Sequence, residues 1–137
     1  MEGIFRPAWR PGTNEIAFIG NNGISSDIYL FNLDSEKLTN LTKDWFTDDQ
    51  ISWYPDGNSI LFVSDRGNVL ETGIANKPEN HLFNQTDIYE LNIESGIVER
   101  ITDTPFNEMY PCISKDGNYL IYNDFNRLGN RVVKLLL

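Results

Sequence analysis

One histidine, one cysteine and one tight group of acidic residues are the side chains whose types could do chemistry in this 137-residue chain. His81 is a candidate general base, but it lies in a long loop and no second histidine is present to pair with it. Cys112 would need a base beside it to act as a nucleophile, and the sequence places none there, so it reads as a small buried hydrophobe. Gly23-Ile24-Ser25-Ser26-Asp27 lacks the closing glycine of a serine-nucleophile elbow. A glycine-rich phosphate loop and a dinucleotide fingerprint are both missing. No catalytic residue is assigned, and no cofactor is expected. Asp44, Asp48 and Asp49 fall within six positions and offer the oxygen ligands calcium takes. Their spacing is not that of an EF-hand loop, which alternates its ligands and closes on Glu. The group therefore reads as a solvated acidic loop, and no metal site is assigned. Asn40-Leu41-Thr42 and Asn84-Gln85-Thr86 fit the glycosylation triplet, a pattern that arises often by chance.

The elements that must position these residues come from a repeat. Ile51-Ser52-Trp53-Tyr54-Pro55-Asp56-Gly57 followed by Ser59-Ile60-Leu61-Phe62-Val63-Ser64 reads as strand, turn and apolar strand. Pro presets φ for the turn and Gly accepts positive φ. The pattern recurs around Trp9 and Ile113, and in all three copies seven positions separate the anchor (Trp9, Trp53, Ile113) from the next strand (Ile16, Ile60, Leu120). The anchors lie 53 − 9 = 44 and 113 − 53 = 60 positions apart. Asp27-Ile28-Tyr29 returns 60 positions later as Asp87-Ile88-Tyr89, and Leu41-Thr42 returns as Ile101-Thr102. An aspartate repeated in this way is expected to hold its unit together, for instance by accepting a loop N–H. The unit is 44 residues, and the second copy carries an insertion between its second and third strands.

Each unit resolves into four strands, predicted over 6–10, 15–20, 27–33 and 37–42 in the first copy and 50–54, 59–64, 86–92 and 97–102 in the second. A four-stranded antiparallel unit of this length, repeated in tandem, is the signature of a β-propeller blade. The expected fold is all-β, with just under three blades: 6–42, 50–102 with the insertion 67–85, and an incomplete 110–137. Propellers close with about four to eight blades. The chain is therefore expected to be a fragment of a longer protein, or to self-associate through its open blade faces.

The net charge of −9 and pI near 4.4 argue against a nucleic-acid partner, since phosphate contacts need clustered Lys and Arg. No run of 18 apolar residues exists, so no membrane insertion is expected. Met1-Glu2-Gly3-Ile4-Phe5-Arg6-Pro7 has neither the basic nor the apolar region of a signal peptide. One cysteine forms no internal disulfide, which leaves the compartment open.

Strand parity puts the 2–3 loops and the junctions between units on one rim, and the Pro-Asp-Gly turns on the other. The irregular segments (43–49, 67–85 and 103–109) all fall on the first rim. Binding is expected there, through Asp44, Trp45, Phe46, Asp48, Asp49, Asp65, Arg66, His81, Phe106 and Glu108. Aromatic anchors ringed by charge are what interaction surfaces favour. Trp45 and Phe106 occupy nearly equivalent repeat positions, which suits plugs between blades equally well.

Pro-x-Trp-x-Pro-Asp-Gly-x-x-Ile-x-Phe, Asp-Ile-Tyr and Leu-Thr together resemble the WD40-like repeat of TolB-type β-propellers, also found in tricorn-like and prolyl-oligopeptidase-like propellers. The resemblance covers nearly the whole chain. Copy one lacks the turn Asp, copy three lacks the Trp and the turn Pro, and Arg131-Val132-Val133-Lys134 stands where Asp-Ile-Tyr is expected. The resemblance implies a non-catalytic module for a protein or peptide partner in the periplasm or cell envelope, with the cytoplasm still open. Its alternative implication is a substrate-gating propeller segment of a serine peptidase.

Overall fold

The computed structural model describes residues 1–67, 85–126 and 128–137. Among the described residues the elements are eleven strands: β1 (Gly3–Trp9), β2 (Glu15–Asn21), β3 (Ser26–Asn32), β4 (Lys37–Asn40), β5 (Asp48–Trp53), β6 (Ser59–Ser64), β7 (Asp87–Asn92), β8 (Val98–Arg100), β9 (Asn107–Ile113), β10 (Tyr119–Asn126) and β11 (Gly129–Leu136). They form antiparallel sheets ordered β1-β2-β3-β4, β5-β6-β7-β8 and β11-β10-β9. The first strands stand side by side, β1 against β5 and β5 against β9. They make one wall, and the sheets fan out behind it.

The turns form as their residues dictate. Gly12, Gly57 and Gly117 have φ of 73°, 72° and 76°, a region that favours glycine. Gly57 N–H donates to Tyr54 O and Gly117 N–H to Ser114 O, both at 2.9 Å. Asp56 and Asp116 accept the N–H two residues on, from Asn58 and Asn118.

Packing follows from strand alternation. Every residue of β6 is buried, as its unbroken apolar run requires between two neighbouring sheets. Ile60 and Phe62 join Ala17, Ile19, Ile28, Leu30, Tyr89 and Leu91 between sheets one and two. Leu61 and Val63 point the other way, joining Ile88, Leu120 and Tyr122 between sheets two and three. Trp53 packs against the first cluster and donates its indole N–H to Ala8 O at 3.2 Å, so the anchor of one sheet docks on the sheet before it. Trp9 occupies the same place in sheet one and is 59% exposed.

The first strands begin two or three residues before their predicted starts, at 3, 48 and 107 instead of 6, 50 and 110. The reason is a bulge. Strand pairing shifts between Phe5 and Ala8, between Asp49 and Ser52, and between Ile121 and Asn123 opposite Met109 and Cys112. Arg6, Gln50 and Tyr110 sit there with φ of 51°, 55° and 57°. A left-handed residue before Pro7 or Pro111 looks like a strand break in sequence, but the ladder resumes beyond it.

The expected burial of Cys112 is corrected: its free thiol is exposed. It pairs with Ile121, which is itself exposed, on the face of sheet three turned away from sheet two, while Ile113 beside it takes the inner face. Anchor position and inward direction differ by one residue of strand alternation. Cys112 is therefore expected to react with a thiol reagent such as DTNB without denaturant, at a rate denaturant barely changes. Cys112→Ser should shift stability by no more than about 0.5 kcal/mol. Protection of the thiol until unfolding would contradict this placement.

Candidate functional site

The junctions joining β4 to β5 and β8 to β9 lie on one rim with the starts of β3 and β7, as a parallel bridge between Ser26 and Thr47 shows for the first and the Thr86 N–H bond to Asn107 Oδ1 for the second. Asp27 opens β3 there. Its carboxylate accepts from Asn40 Nδ2 at 2.8 Å, from Thr42 Oγ1 at 3.4 Å and from the Asp44 N–H at 3.2 Å. That is the unit-holding role its recurrence predicted. Thr42 and Thr102, 60 positions apart, accept the N–H of Ile28 and Ile88 at 3.0 and 2.9 Å. At Asp87 the place of Asn40 is taken by Arg100, whose Nη2 lies 2.9 Å from Asp87 Oδ2.

Arg66 departs from the repeat, since the first copy has Asn22 and the third Asn126 at that offset from the second strand. It is buried, donates to Asp48 Oδ1 at 2.6 Å and lies 3.3 Å from Asp44 Oδ2. Its guanidinium also sits 5.4, 5.0 and 5.5 Å from the ring centres of Phe46, Phe62 and Tyr89. Burial pushes Asp48 up to about 6 despite the attraction of Arg66, as expected when desolvation exceeds the Coulombic return. Burial likewise raises Asp44. Asp27, Asp44 and Asp48 each bring a carboxylate oxygen within 4.8 Å of the others. Arg66 pairs with Asp44 and Asp48, and Asp27 is engaged by Asn40, Thr42 and the Asp44 N–H, so no metal centre is assigned.

The predicted site residues thus divide. Asp48, Asp65, Arg66 and Glu108 are buried and spend their polar groups inside the fold; Asp65, for example, accepts the Thr47 N–H at 2.9 Å. Asp44, Trp45, Phe46, Asp49 and Phe106 are half-buried. Trp45 packs against Phe46 in a tilted pair with ring centres 4.2 Å apart, and Arg131 lies 5.9 Å from the ring centre of Phe106. Phe46 and Phe106 therefore stand in equivalent junctions, each facing an arginine. His81 lies outside the described residues.

The bulged wall was missed in the sequence. Arg6, Gln50 and Tyr110 each stand three residues before an anchor, a legible spacing hidden by three unlike side chains. Arg6 Nε reaches Asp49 Oδ1 at 2.6 Å, Asp49 Oδ1 also accepts the Gln50 N–H at 2.8 Å, and Gln50 Oε1 accepts the Tyr110 N–H. A chain of bonds so links the first strands in order. At the rim end of this wall a cleft of about 640 Å³ is lined by Ile4, Phe5, Arg6, Pro7, Ile19, Asn21, Ser26, Thr47 and Asp49. A second, of about 360 Å³, lies along the wall beside Gln50 and Tyr110. Ile4 and Phe5 are 62% and 54% exposed beside the Arg6–Asp49 pair.

Face-to-face four-stranded sheets with their first strands on a shared wall are the blades of a β-propeller. The chain belongs to the TolB β-propeller domain family, whose profile matches residues 2–70, just over half the chain. It is similar to the uncharacterized protein Atu1656 of Agrobacterium fabrum, at 27% identity over 118 residues, which is 86% of this chain and 35% of that protein. Among solved structures, TolB from Acinetobacter baumannii superposes with a TM-score of 0.73 at 20% identity, over 98% of this chain and 30% of that one. A chain of the nidogen/laminin complex superposes with a TM-score of 0.69 at 11% identity, over 97% of this chain and 44% of the other. This chain thus spans less than half the length of each.

Proposed function

We propose that the chain is a non-catalytic recognition segment of a longer TolB-type propeller, and that it holds a protein or peptide at the cleft between blades one and two. The observation that carries this reading is the exposed Ile4 and Phe5 beside the Arg6–Asp49 pair, an apolar surface edged by charge. Such a surface suits a peptide side chain flanked by backbone or polar groups. Trp45 and Phe106 stand half-buried in the junctions after blades one and two. The length of the relatives supports the fragment reading, as does the uncovered apolar flank around Trp9. The nidogen/laminin neighbour supports a protein partner, and TolB kinship supports a place in the cell envelope.

The test is a random peptide display library selected against the chain, with recovered peptides titrated by fluorescence anisotropy. Phe5→Ala is expected to weaken binding at least tenfold, about 1.4 kcal/mol, with the denaturation midpoint unchanged. Trp45→Ala and Phe106→Ala separate anchor from plug: anchors lose binding, plugs lose stability. Full affinity in Phe5→Ala would overturn the site. A serine-hydrolase domain in the same open reading frame would overturn the non-catalytic reading in favour of peptidase gating.

A further inference from the structure

Where β7 and β8 of blade two face β9, β10 and β11 of blade three, four carboxyl groups meet two guanidiniums. Asp87 on β7, Glu108 on β9 and Asp124 on β10 are each no more than 1% exposed. Arg100 Nη2 lies 2.9 Å from both Asp87 Oδ2 and Asp103 Oδ1. Arg131 donates to Asp124 Oδ2 through Nε at 2.9 Å and Nη2 at 2.6 Å. Glu108 stands opposite Asp124 in the β9–β10 ladder and accepts from two hydroxyls, Thr102 Oγ1 at 3.1 Å and Thr104 Oγ1.

The charges do not balance. Among the described residues, four carboxylates against two guanidiniums leave 4 − 2 = 2 negative charges, and of the four only Asp103, 65% exposed in its side chain, can hand its charge to water. One surplus charge stays buried, which is costly enough that a group protonates instead. Two carboxylate oxygens of the cluster are buried and unpartnered, Asp87 Oδ1 and Asp124 Oδ1; Asp124 already takes two bonds from Arg131, whereas Asp87 Oδ1 waits for a donor so long as its neighbour is a carboxylate. A proton on Glu108 cancels the surplus and supplies that donor. Among the described residues no other charge intervenes. Tyr89 and Tyr122 are the remaining titratable groups facing the cluster. β6 ends at this level in uncharged Ser64, and Asp48 and Asp49 of β5 are committed to Arg66 and Arg6.

We propose that Glu108 holds a proton in a carboxyl–carboxylate hydrogen bond to Asp87 that latches blade two to blade three, and that losing this proton loosens the junction. Burial first, then the charge of Asp87, pushes Glu108 up to about 7 against the pull of the Thr104 and Thr102 hydroxyls. Burial raises Asp87 as well. The sign follows. The folded chain binds this proton more tightly than the unfolded chain, whose Glu titrates near 4.5. The latch is fully present below pH 4.5 and is lost as pH rises to about 7.

Two measurements on the full chain test this. In the first, the pH dependence of urea unfolding is compared with that of Glu108→Gln, whose amide donates to Asp87 without titrating. Relative to the variant, the unfolding constant of the native sequence should rise up to about tenfold per pH unit across that window and level off above it. The Glu108 N–H, which donates to Thr86 O at 3.0 Å across the junction, should lose exchange protection over the same range only in the native sequence. In the second, side-chain carboxyl NMR of the native sequence should place the Glu108 midpoint near neutrality, a readout that stands even if the variant fails to fold. Parallel pH profiles, or a Glu108 midpoint in the ordinary carboxylate range, would overturn the latch.

Discussion

Arg66→Ala is expected to destabilise the chain by about 3–5 kcal/mol, the cost of stranding a buried charge. Asp48 is fully buried and takes its 2.6 Å charged bond from Arg66 alone. Removing the guanidinium leaves that carboxylate without a counter-charge, strips Asp44 of its partner and leaves the three rings around it without their cation. Against a typical domain stability of about 5–15 kcal/mol this is a large fraction. The defect should depend on pH with a definite sign. Asp48 titrates at about 6 in the fold against 3.8 in the unfolded chain, so its folded pKa is raised and its contribution falls as pH rises through that window. Without Arg66 the folded value rises further. The gap between variant and native sequence should therefore be widest near neutrality and close below pH 3.8, where Asp48 is neutral in both states. Arg66→Lys should recover little, because an ammonium cannot lie flat among three rings while bonding a carboxylate. Urea midpoints at pH 3.5 and pH 7.5 read both effects, and a loss under about 1 kcal/mol at the higher pH would show the network to be dispensable.

The second large effect is a pair of substitutions in one strand that open different interfaces. Phe62→Ala is expected to cost about 3–5 kcal/mol and Leu61→Ala about 2–5 kcal/mol. Both side chains are fully buried, but Phe62 faces blade one, packing 5.8 Å from Tyr89 by ring centres and under Arg66, whereas Leu61 faces blade three. Hydrogen exchange distinguishes them. Phe62→Ala should raise exchange chiefly in β2 and β3, and Leu61→Ala chiefly in β9 and β10. Uniform acceleration across all three sheets in both variants would show that the sheets do not open separately.

Much of this architecture was legible before any coordinates. The 44- and 60-residue spacings and the turn residues lie on a line, and strand periodicity is a local property. The repeat therefore announced just under three four-stranded antiparallel units and the apolar run that became β6, and the sheets carry them. The recurrent Asp27 was read as structural, and it accepts the Asp44 N–H. The rim was legible for the same reason, since parity of strand direction assigns each loop to a side.

Direction and partnership were not on that line. Cys112 and Ile113 are neighbours with similar hydropathy, and only the register with β10 decides which one faces water. Asp44 and Asp48 read as a solvated acidic loop and Arg66 as a separate rim charge, because only the pairing of β5 with β6 sets Asp48 opposite Ser64 and beside Arg66. The bulges at Arg6, Gln50 and Tyr110 look like breaks until the ladder is seen to resume. The surplus carboxyl of Glu108 appears only when the groups of two blades are counted in one desolvated place. Repeat, strand and rim were thus determined by the sequence itself, because they rest on local chemistry and spacing. Which charges are buried, which are paired and which residue must keep a proton was decided by the tertiary structure, because desolvation belongs to the assembled junction and to no residue alone.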